Sequence, residues 1–94
     1  MEIEPYRIAV ADSVLTDLRE RLARTRFPDE IPGSGWGYGT NLDAVRELVA
    51  YWRDQFDWRA AEARLNQFQQ FRAKVGGLKI HFIHERGVGP KPLP

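Results

Sequence analysis

The chain has 94 residues, enough for one domain or for part of one. Fourteen basic and thirteen acidic residues leave a net charge of +1, a balance that disfavours a nucleic-acid-binding protein or a binder of anionic membranes. No cysteine is present, which excludes disulfides and thiolate chemistry, whereas three Trp and five Phe carry roughly 1,600 Å² of apolar surface.

The first predicted elements are a short extended segment and a helix. Residues 1–11 include an alternating patch that is compatible with a strand or an extended lead-in, and Pro5 favours an edge position. Asp12 or Ser13 then offers an N-cap for a helix over residues 14–25. One apolar stripe of leucines predicts the buried side of this helix: Leu15, Leu18 and Leu22.

A glycine-rich loop and a second helix follow. Residues 26–40 contain two prolines and four glycines, a composition typical of a loop. Thr40 or Asn41 then offers an N-cap for a helix over residues 42–56. Its apolar residues keep the 3.6-residue period across nearly four turns: Leu42, Val45, Leu48, Val49, Trp52 and Phe56.

A third helix and a β-hairpin complete the predicted elements. Asp57 can cap the helix, whose apolar side chains fall on one side: Trp58, Ala61, Leu65 and Phe68. From Phe71 onward the period changes from 3.6 to 2, and Gly76-Gly77 offers a two-residue turn that tolerates positive φ. Residues 71–85 are therefore predicted to form a hairpin.

These elements predict an α+β fold of three helices plus a β-hairpin. Two strands alone do not make a stable sheet in water, and residues 86–94 have the composition of a linker that leads toward another strand. The pattern favours part of a larger sheet, although three helices and one hairpin could also close a small α+β domain.

The glycine loop invites comparison with phosphate-binding loops. It follows G-x-G-x-G-x-G, whereas a dinucleotide fingerprint requires G-x-G-x-x-G, and the sixth positions counted from Gly33 and Gly35 are Tyr38 and Thr40. No buried strand precedes it and no GK[ST] follows. We interpret it as a tight loop whose glycines let Trp36 and Tyr38 pack against neighbouring backbone.

No residue or residue pair indicates catalysis or metal binding. His81 and His84 are three apart on a predicted strand, so their imidazoles point to opposite faces and cannot converge on one ion. Ser13 and Ser34 lie in no G-x-S-x-G elbow. Surface and capping roles explain the acid pairs: Asp54 with Asp57, and Asp29 with Glu30. Interfacial packing explains the tyrosines: Tyr6, Tyr38 and Tyr51.

A basic cluster on the first helix is the one feature that favours nucleic-acid binding. It consists of Arg19, Arg21, Arg24 and Arg26. Acidic residues are interleaved with these arginines, so a solvated helix surface explains them better than a phosphate-binding stripe. We therefore expect no nucleic-acid partner, no metal site and no cofactor site.

The order of the motifs is more specific than any single feature. A helix ends in RLARTRFPDE, a WGYG loop follows, and then come LDAVRELVAYWRDQFDWRAAEARLNQF and FRAKVGGLKIHFIHE. Over roughly residues 4–86, this array resembles the N-terminal segment of epoxide hydrolases related to the microsomal enzymes.

The resemblance implies an α/β-hydrolase several times longer than this chain, which opens epoxides to vicinal diols without a cofactor. In that family an aspartate attacks an epoxide carbon to form an alkyl-enzyme ester, and a histidine oriented by an acid activates the hydrolytic water. Two lid tyrosines hold the epoxide oxygen, and an oxyanion site follows a His-Gly motif. All these positions lie beyond the matched region, so this chain alone is expected to be inactive.

For the residues present, the resemblance implies a scaffold. Residues 1–70 would form a helical meander around the hydrolase core and lid, residues 71–85 the hairpin that opens the main sheet, and residues 86–94 a lead into the core. The expected partners are therefore the remainder of the hydrolase and, for the full enzyme, an epoxide. Five side chains are expected to pack against core and lid: Trp36, Tyr38, Trp52, Trp58 and Phe71.

Two further expectations concern location and an alternative function. Residues 1–12 contain no signal peptide or membrane anchor and begin almost at the match, so we expect a soluble, cytoplasmic protein without a membrane partner. The alternative is a stand-alone interaction or dimerisation module, in which the apolar stripe of helix 42–56 would form a homodimer.

Overall fold

A computed structural model describes residues 2–94, which form three helices and one three-stranded antiparallel sheet. The predicted α+β class is confirmed. The chain divides into two compact units, one of Val10–Asp57 and one of Met1–Ala9 with Trp58–Pro94. The predicted parts 1–70, 71–85 and 86–94 refer to a longer hydrolase and stay a prediction.

The first helix begins earlier than predicted. Helix α1 spans Asp12–Ala23, and the extended residue Ala11 is its N-cap. The Ala11 carbonyl accepts the N–H groups three and four residues further on, at 3.0 and 3.3 Å, and no side chain caps the helix. The predicted capping role of Asp12 or Ser13 is therefore wrong. Asp12 lies instead in the first turn, where a negative charge interacts favourably with the helix dipole.

The second helix, α2, spans Leu42–Asp54 and is capped by two side chains. Asn41 Oδ1 accepts the Ala44 N–H at 3.0 Å, which confirms Asn41 rather than Thr40 as the N-cap. Glu30 Oε2 accepts the Leu42 N–H at 2.6 Å. This second cap comes from a residue twelve positions earlier, and sequence analysis did not predict it.

The C-terminal end of α2 lies two residues before the predicted one. The N–H groups of Gln55 and Phe56 both bond to the Tyr51 carbonyl, at 2.8 and 2.9 Å. Because Phe56 bonds five residues back rather than four, the regular helix ends and Phe56 lies beyond it. Helices α1 and α2 contact each other, and Leu22 of the predicted leucine stripe is buried.

The other unit contains the sheet and the third helix. Helix α3 spans Trp58–Leu65, and the strands are β1 (Ile3–Tyr6), β2 (Gln70–Val75) and β3 (Leu78–Ile83). The sheet order is β1-β2-β3, so β1 is an edge strand, as Pro5 predicted. The sequence left open whether this segment forms a strand or an extended lead-in. Because Ile3–Tyr6 pairs with β2, it forms a strand. Phe68, expected on the apolar side of the third helix, lies beyond its end.

The predicted hairpin is confirmed with small shifts at its ends. Its paired strands begin at Gln70 and end at Ile83, where residues 71–85 were predicted. Gly76 and Gly77 form the turn with φ values of 56° and 81°, both in the left-handed region that primed hairpin turns require.

Alternation along the strands gives the sheet two chemically different faces. We call one the apolar sheet face; it carries Ile3, Pro5, Phe71, Ala73, Val75, Leu78, Ile80 and Phe82. We call the other the polar sheet face; it carries Glu4, Tyr6, Gln70, Arg72, Lys74, Lys79, His81 and Ile83. In the part of the chain from residue 2 onward, no helix is long and apolar enough to cross a membrane.

Candidate functional site

Gln70 is the centre of a polar network on the polar sheet face. Its side chain is only 5% exposed, and its Nε2 donates to the Leu65 carbonyl at 2.7 Å. Its Oε1 lies 2.8 Å from His81 Nε2, and the His81 ring meets the Tyr6 ring edge-on at 5.3 Å. Since an amide oxygen only accepts, His81 must donate from Nε2. His81 is therefore a hydrogen-bonded strand histidine, as predicted.

Asn66 joins the end of α3 to the segment that follows β1. Its Oδ1 accepts the Ile8 N–H at 2.9 Å, and its Nδ2 donates to the Ile8 carbonyl at 2.8 Å. The amide thus satisfies both backbone groups of Ile8, much as a neighbouring strand would. Sequence analysis missed both Gln70 and Asn66, because neither amide belongs to a recognisable motif.

The charged side chains of the polar sheet face form a solvated cluster. Glu4 Oε1 lies 3.5 Å from Arg72 Nη2 and 3.3 Å from Lys79 Nζ. The Arg72 guanidinium also lies over the Tyr6 ring, 4.6 Å from its centroid. Both ion pairs are substantially exposed, so they stabilise the fold weakly.

Two carboxylates elsewhere, Asp54 and Glu62, have structural partners. Arg53 donates two 2.8 Å hydrogen bonds to Asp54, which hold the pKa of that carboxyl below its usual range. Glu62 is nearly buried and accepts from Trp58 Nε1 at 3.2 Å and from Arg59 Nη1 at 2.9 Å. These bonds agree with the predicted surface role of Asp54 and explain how Glu62 tolerates burial.

The histidines do not form a metal site. His84 lies just past the end of β3, where its N–H bonds to the Gln69 carbonyl at 3.0 Å. His81 Nε2 is already engaged with Gln70. Among residues 2–94, no three side chains of His, Cys, Asp or Glu are grouped as metal ligands would be.

An open pocket of about 350 Å³ lies between the glycine-rich loop and the start of α2. Its apolar wall includes Pro28, Ile31 and Val45, and its polar wall includes Glu30, whose carboxylate already caps α2. Both histidines belong to the other unit. The pocket can therefore receive an apolar group; the carboxylates in its lining are Asp29 and Glu30, and Glu30 is bonded to the start of α2.

The five side chains expected to pack against a hydrolase core have different surroundings. Trp36 is 66% exposed, Tyr38 83% and Trp52 45%. Trp58 and Phe71 are half-buried, and Phe71 stacks on Phe82 with centroids 5.6 Å apart. The structure therefore leaves the first three rings without much cover, and their packing role stays a prediction.

The accessible surface of the chain is unusually large. The chain exposes 8216 Å² at a mass of 10.9 kDa. A compact monomer of this mass exposes about 5,600 Å², and two separate halves would expose about 6,700 Å² in all. Among the described residues, no large side chain is fully buried. Large apolar side chains contribute to this surface, among them Trp36, Tyr38, Leu48 and Leu78.

The chain is similar to a family model and to several proteins that are named as epoxide hydrolases. The family model described as epoxide hydrolase N terminus matches residues 3–94. A protein named as a candidate epoxide hydrolase in Stigmatella aurantiaca (strain DW4/3-1) is 46% identical over 98% of this chain and 21% of its own length. Epoxide hydrolase 1 of Oryctolagus cuniculus is 35% identical over 97% of this chain and 21% of its length. The chain thus spans about a fifth of these relatives.

Solved structures of epoxide hydrolases are also similar to the structure of this chain. The juvenile hormone epoxide hydrolase of the silkworm Bombyx mori superposes with a TM-score of 0.84 and 28% identity, over 96% of this chain and 24% of that one. The Aspergillus niger epoxide hydrolase superposes with a TM-score of 0.78 and 29% identity, over 88% of this chain and 22% of that one.

Proposed function

The chain belongs to the epoxide hydrolase N-terminus family, and on that premise we propose that it is the structural N-terminal segment of an epoxide hydrolase. The main support is the continuous likeness over residues 3–94 to relatives that are about five times longer. In this proposal α1, α2, α3 and the sheet form a scaffold, and the rest of the hydrolase supplies the catalytic groups.

The proposed reaction of the full enzyme is the hydrolysis of an epoxide to a vicinal diol through an alkyl-enzyme ester. An aspartate outside this segment attacks an epoxide carbon, the ring C–O bond breaks, and the oxygen takes a proton from a lid tyrosine. A histidine then takes a proton from a water that attacks the ester carbonyl; the diol leaves, the carboxylate is regenerated, and this proton returns to the tyrosinate. Water is the only co-reactant.

We further propose that the 94-residue chain alone does not hydrolyse epoxides. Three of the groups that could act as acid or base have structural bonds: His81 with Gln70, Glu62 with Arg59, and Glu30 with the start of α2. A working general base needs a free position within hydrogen-bonding reach of its substrate. The structural bonds of these three groups support the proposal that they serve the fold rather than act as that base.

Exposed rings support the scaffold role. Trp36 and Tyr38 leave most of their surface in water, as does Leu48 on α2. Burying such side chains is favourable by roughly 1.5–3 kcal/mol each. A neighbouring hydrolase core and lid would supply the surfaces that cover them.

The direct test is epoxide turnover by two polypeptides. The first is the 94-residue chain, and the second is the same chain extended through the complete hydrolase. Diol formation is expected only for the extended chain, and replacing its nucleophilic aspartate by asparagine should abolish it. Turnover by the 94-residue chain would refute its proposed inactivity, whereas a folded but inactive extended chain would refute the assignment of the reaction.

A stand-alone dimerisation module is the second candidate, favoured by the exposed side of α2. Leu48, Tyr51 and Trp52 lie on this helix with about half or more of their surface in water. Sedimentation of the 94-residue chain separates the two functions. A discrete dimer with protected amides in α2 would favour the module, and a monomer would favour the scaffold.

A further inference from the structure

The strand β1 lies at one edge of the sheet, and among residues 2–94 no strand pairs with its outer side. An edge of this kind presents backbone N–H and C=O groups with which another strand can pair. Whether a further strand can add beyond β1 depends on which of its backbone groups point outward.

Hydrogen bonds near the two ends of β2 establish which groups these are. The Lys74 N–H donates to the Glu2 carbonyl at 3.0 Å, so the backbone of Lys74 faces β1. The His84 N–H donates to the Gln69 carbonyl at 3.0 Å, so the backbone of Gln69 faces the other neighbour, β3. Because successive residues of a strand face opposite neighbours, the even-numbered residues of β2 bond to β1 and the odd-numbered ones to β3.

The same alternation applies to β1. The backbone groups of Glu2, Glu4 and Tyr6 face β2. The backbone nitrogens of Ile3 and Pro5 therefore point outward. Proline has no N–H, and its ring occupies the place of the missing hydrogen. The outer edge of β1 thus presents a ring where a pairing strand would need a donor.

The inner side of this segment remains engaged beyond the end of the strand. Asn66 accepts the Ile8 N–H at 2.9 Å and donates to the Ile8 carbonyl at 2.8 Å. Ile8 follows Tyr6 by two residues, so its backbone groups are satisfied where β2 no longer runs alongside. The segment is therefore held against its own sheet.

The other edge of the sheet differs from this one. The residues of β3 whose backbone points away from β2 are Lys79, His81 and Ile83, and each has an N–H. Of the three strands, β1 alone contains a proline. Pro5 occupies an outward position, where the absent N–H costs the sheet no hydrogen bond.

We propose that Pro5 closes the β1 edge against the addition of a further strand, and specifically against β1 of a second copy of this chain. Two copies could otherwise meet along this edge, because antiparallel pairing of identical strands about a two-fold axis is self-complementary. This inference goes beyond the proposed function and does not depend on the proposed reaction.

Restoring the missing N–H tests the inference. Pro5→Thr, made in the extended hydrolase, supplies an outward N–H from a residue that favours strands. Because each of two copies regains one donor, sedimentation is expected to detect dimers at a concentration at least about tenfold lower than the parent chain needs. Deuterium exchange at the amides of residues 2–7 should also become slower as the concentration of this variant rises.

A double variant is the matched control. Ile3→Pro combined with Pro5→Thr moves the missing N–H to the other outward position of β1. This double variant should stay monomeric at concentrations at which Pro5→Thr alone forms dimers.

Equal association of the parent chain and Pro5→Thr would overturn the proposal. Dimers that persist in the double variant, or that form without slower exchange of residues 2–7, would also overturn it, because their contact would lie elsewhere. Should circular dichroism show that Pro5→Thr does not fold, Pro5→Ala restores the same N–H and gives the same comparison. No measurement here uses epoxide turnover, so failure of the proposed reaction leaves this test intact.

Discussion

Single amide side chains organise this protein more than its ionisable groups do. Gln70, Asn66 and Asn41 each bond to backbone or side-chain groups that would otherwise be unsatisfied. A neutral amide can donate and accept at once, and its burial does not carry the cost of desolvating a charge. Motif searches concentrate on histidines and acids, so they overlook such residues.

Replacing Gln70 by alanine should destabilise the fold by about 1–3 kcal/mol, because the substitution leaves the Leu65 carbonyl and His81 Nε2 without their partner. Gln69→Ala is the matched control, since the neighbouring side chain is exposed and should change stability by less than about 0.5 kcal/mol. Urea unfolding of the two variants measures the difference. Equal losses would mean that the network contributes nothing.

The Arg53–Asp54 pair has a predictable pH response. The hydrogen bonds from Arg53 lower the pKa of Asp54, so the pair stabilises the folded state above the unfolded pKa, and this contribution is lost as pH falls through the lower folded pKa. Carboxyl NMR titration should show the pKa of Asp54 rising toward its ordinary value in Arg53→Ala. Arg46→Ala, which removes the partner of Asp43 instead, should leave it unchanged. No change in Arg53→Ala would disprove the assignment.

At the level of elements, side-chain caps mark the start of α2 but not that of α1. Helix α2 begins where Asn41 and Glu30 satisfy its first N–H groups. Helix α1 begins without any side-chain cap, although Ser13 and Asp12 are good capping residues in isolation. The periodic apolar stripe located both helices, but it could not distinguish a cap from a residue of the first turn.

Asn41→Ala should destabilise the unit of Val10–Asp57 by about 1 kcal/mol, because the Ala44 N–H loses its acceptor. Thr40→Ala is the control, since Thr40 was the other predicted cap and α2 uses Asn41 instead. Thermal unfolding followed by helix circular dichroism measures both. A larger effect of Thr40→Ala would contradict the observed capping.

At the level of the whole molecule, the chain exposes more surface than its mass requires. The exposed surface includes tryptophan rings. In the proposed scaffold role, a tryptophan ring that is exposed to solvent in this segment is available to contact the rest of the hydrolase. Trp36 lies in the glycine-rich loop and is largely exposed, whereas Trp58 is half-buried with its indole N–H bonded to Glu62. The two rings therefore provide an internal comparison.

Iodide quenching of tryptophan fluorescence should distinguish them. In the 94-residue chain, Trp36→Phe should remove more of the quenchable emission than Trp58→Phe, because iodide reaches only rings in contact with water. In the extended hydrolase, the emission of Trp36 should become shielded. If Trp36 is equally shielded in the short chain, the claim that this ring needs an external partner fails.

Sequence alone determined the features that depend on neighbours along the chain. The apolar period of α2, the Gly76-Gly77 turn and the alternation of the hairpin follow from local geometry, and the order of motifs identified the family. The position of Pro5 also predicted an edge strand correctly. These features need only the residues close to them in sequence.

Tertiary structure alone decided the features that join distant residues. β1 pairs with β2 across more than sixty residues, Asn66 satisfies Ile8, and Glu30 caps α2. The energy of such contacts depends on which segments meet in space, and a single sequence does not contain that information in any local pattern. For the same reason, only the folded sheet revealed that Ile3 joins Ile80 on one exposed apolar face.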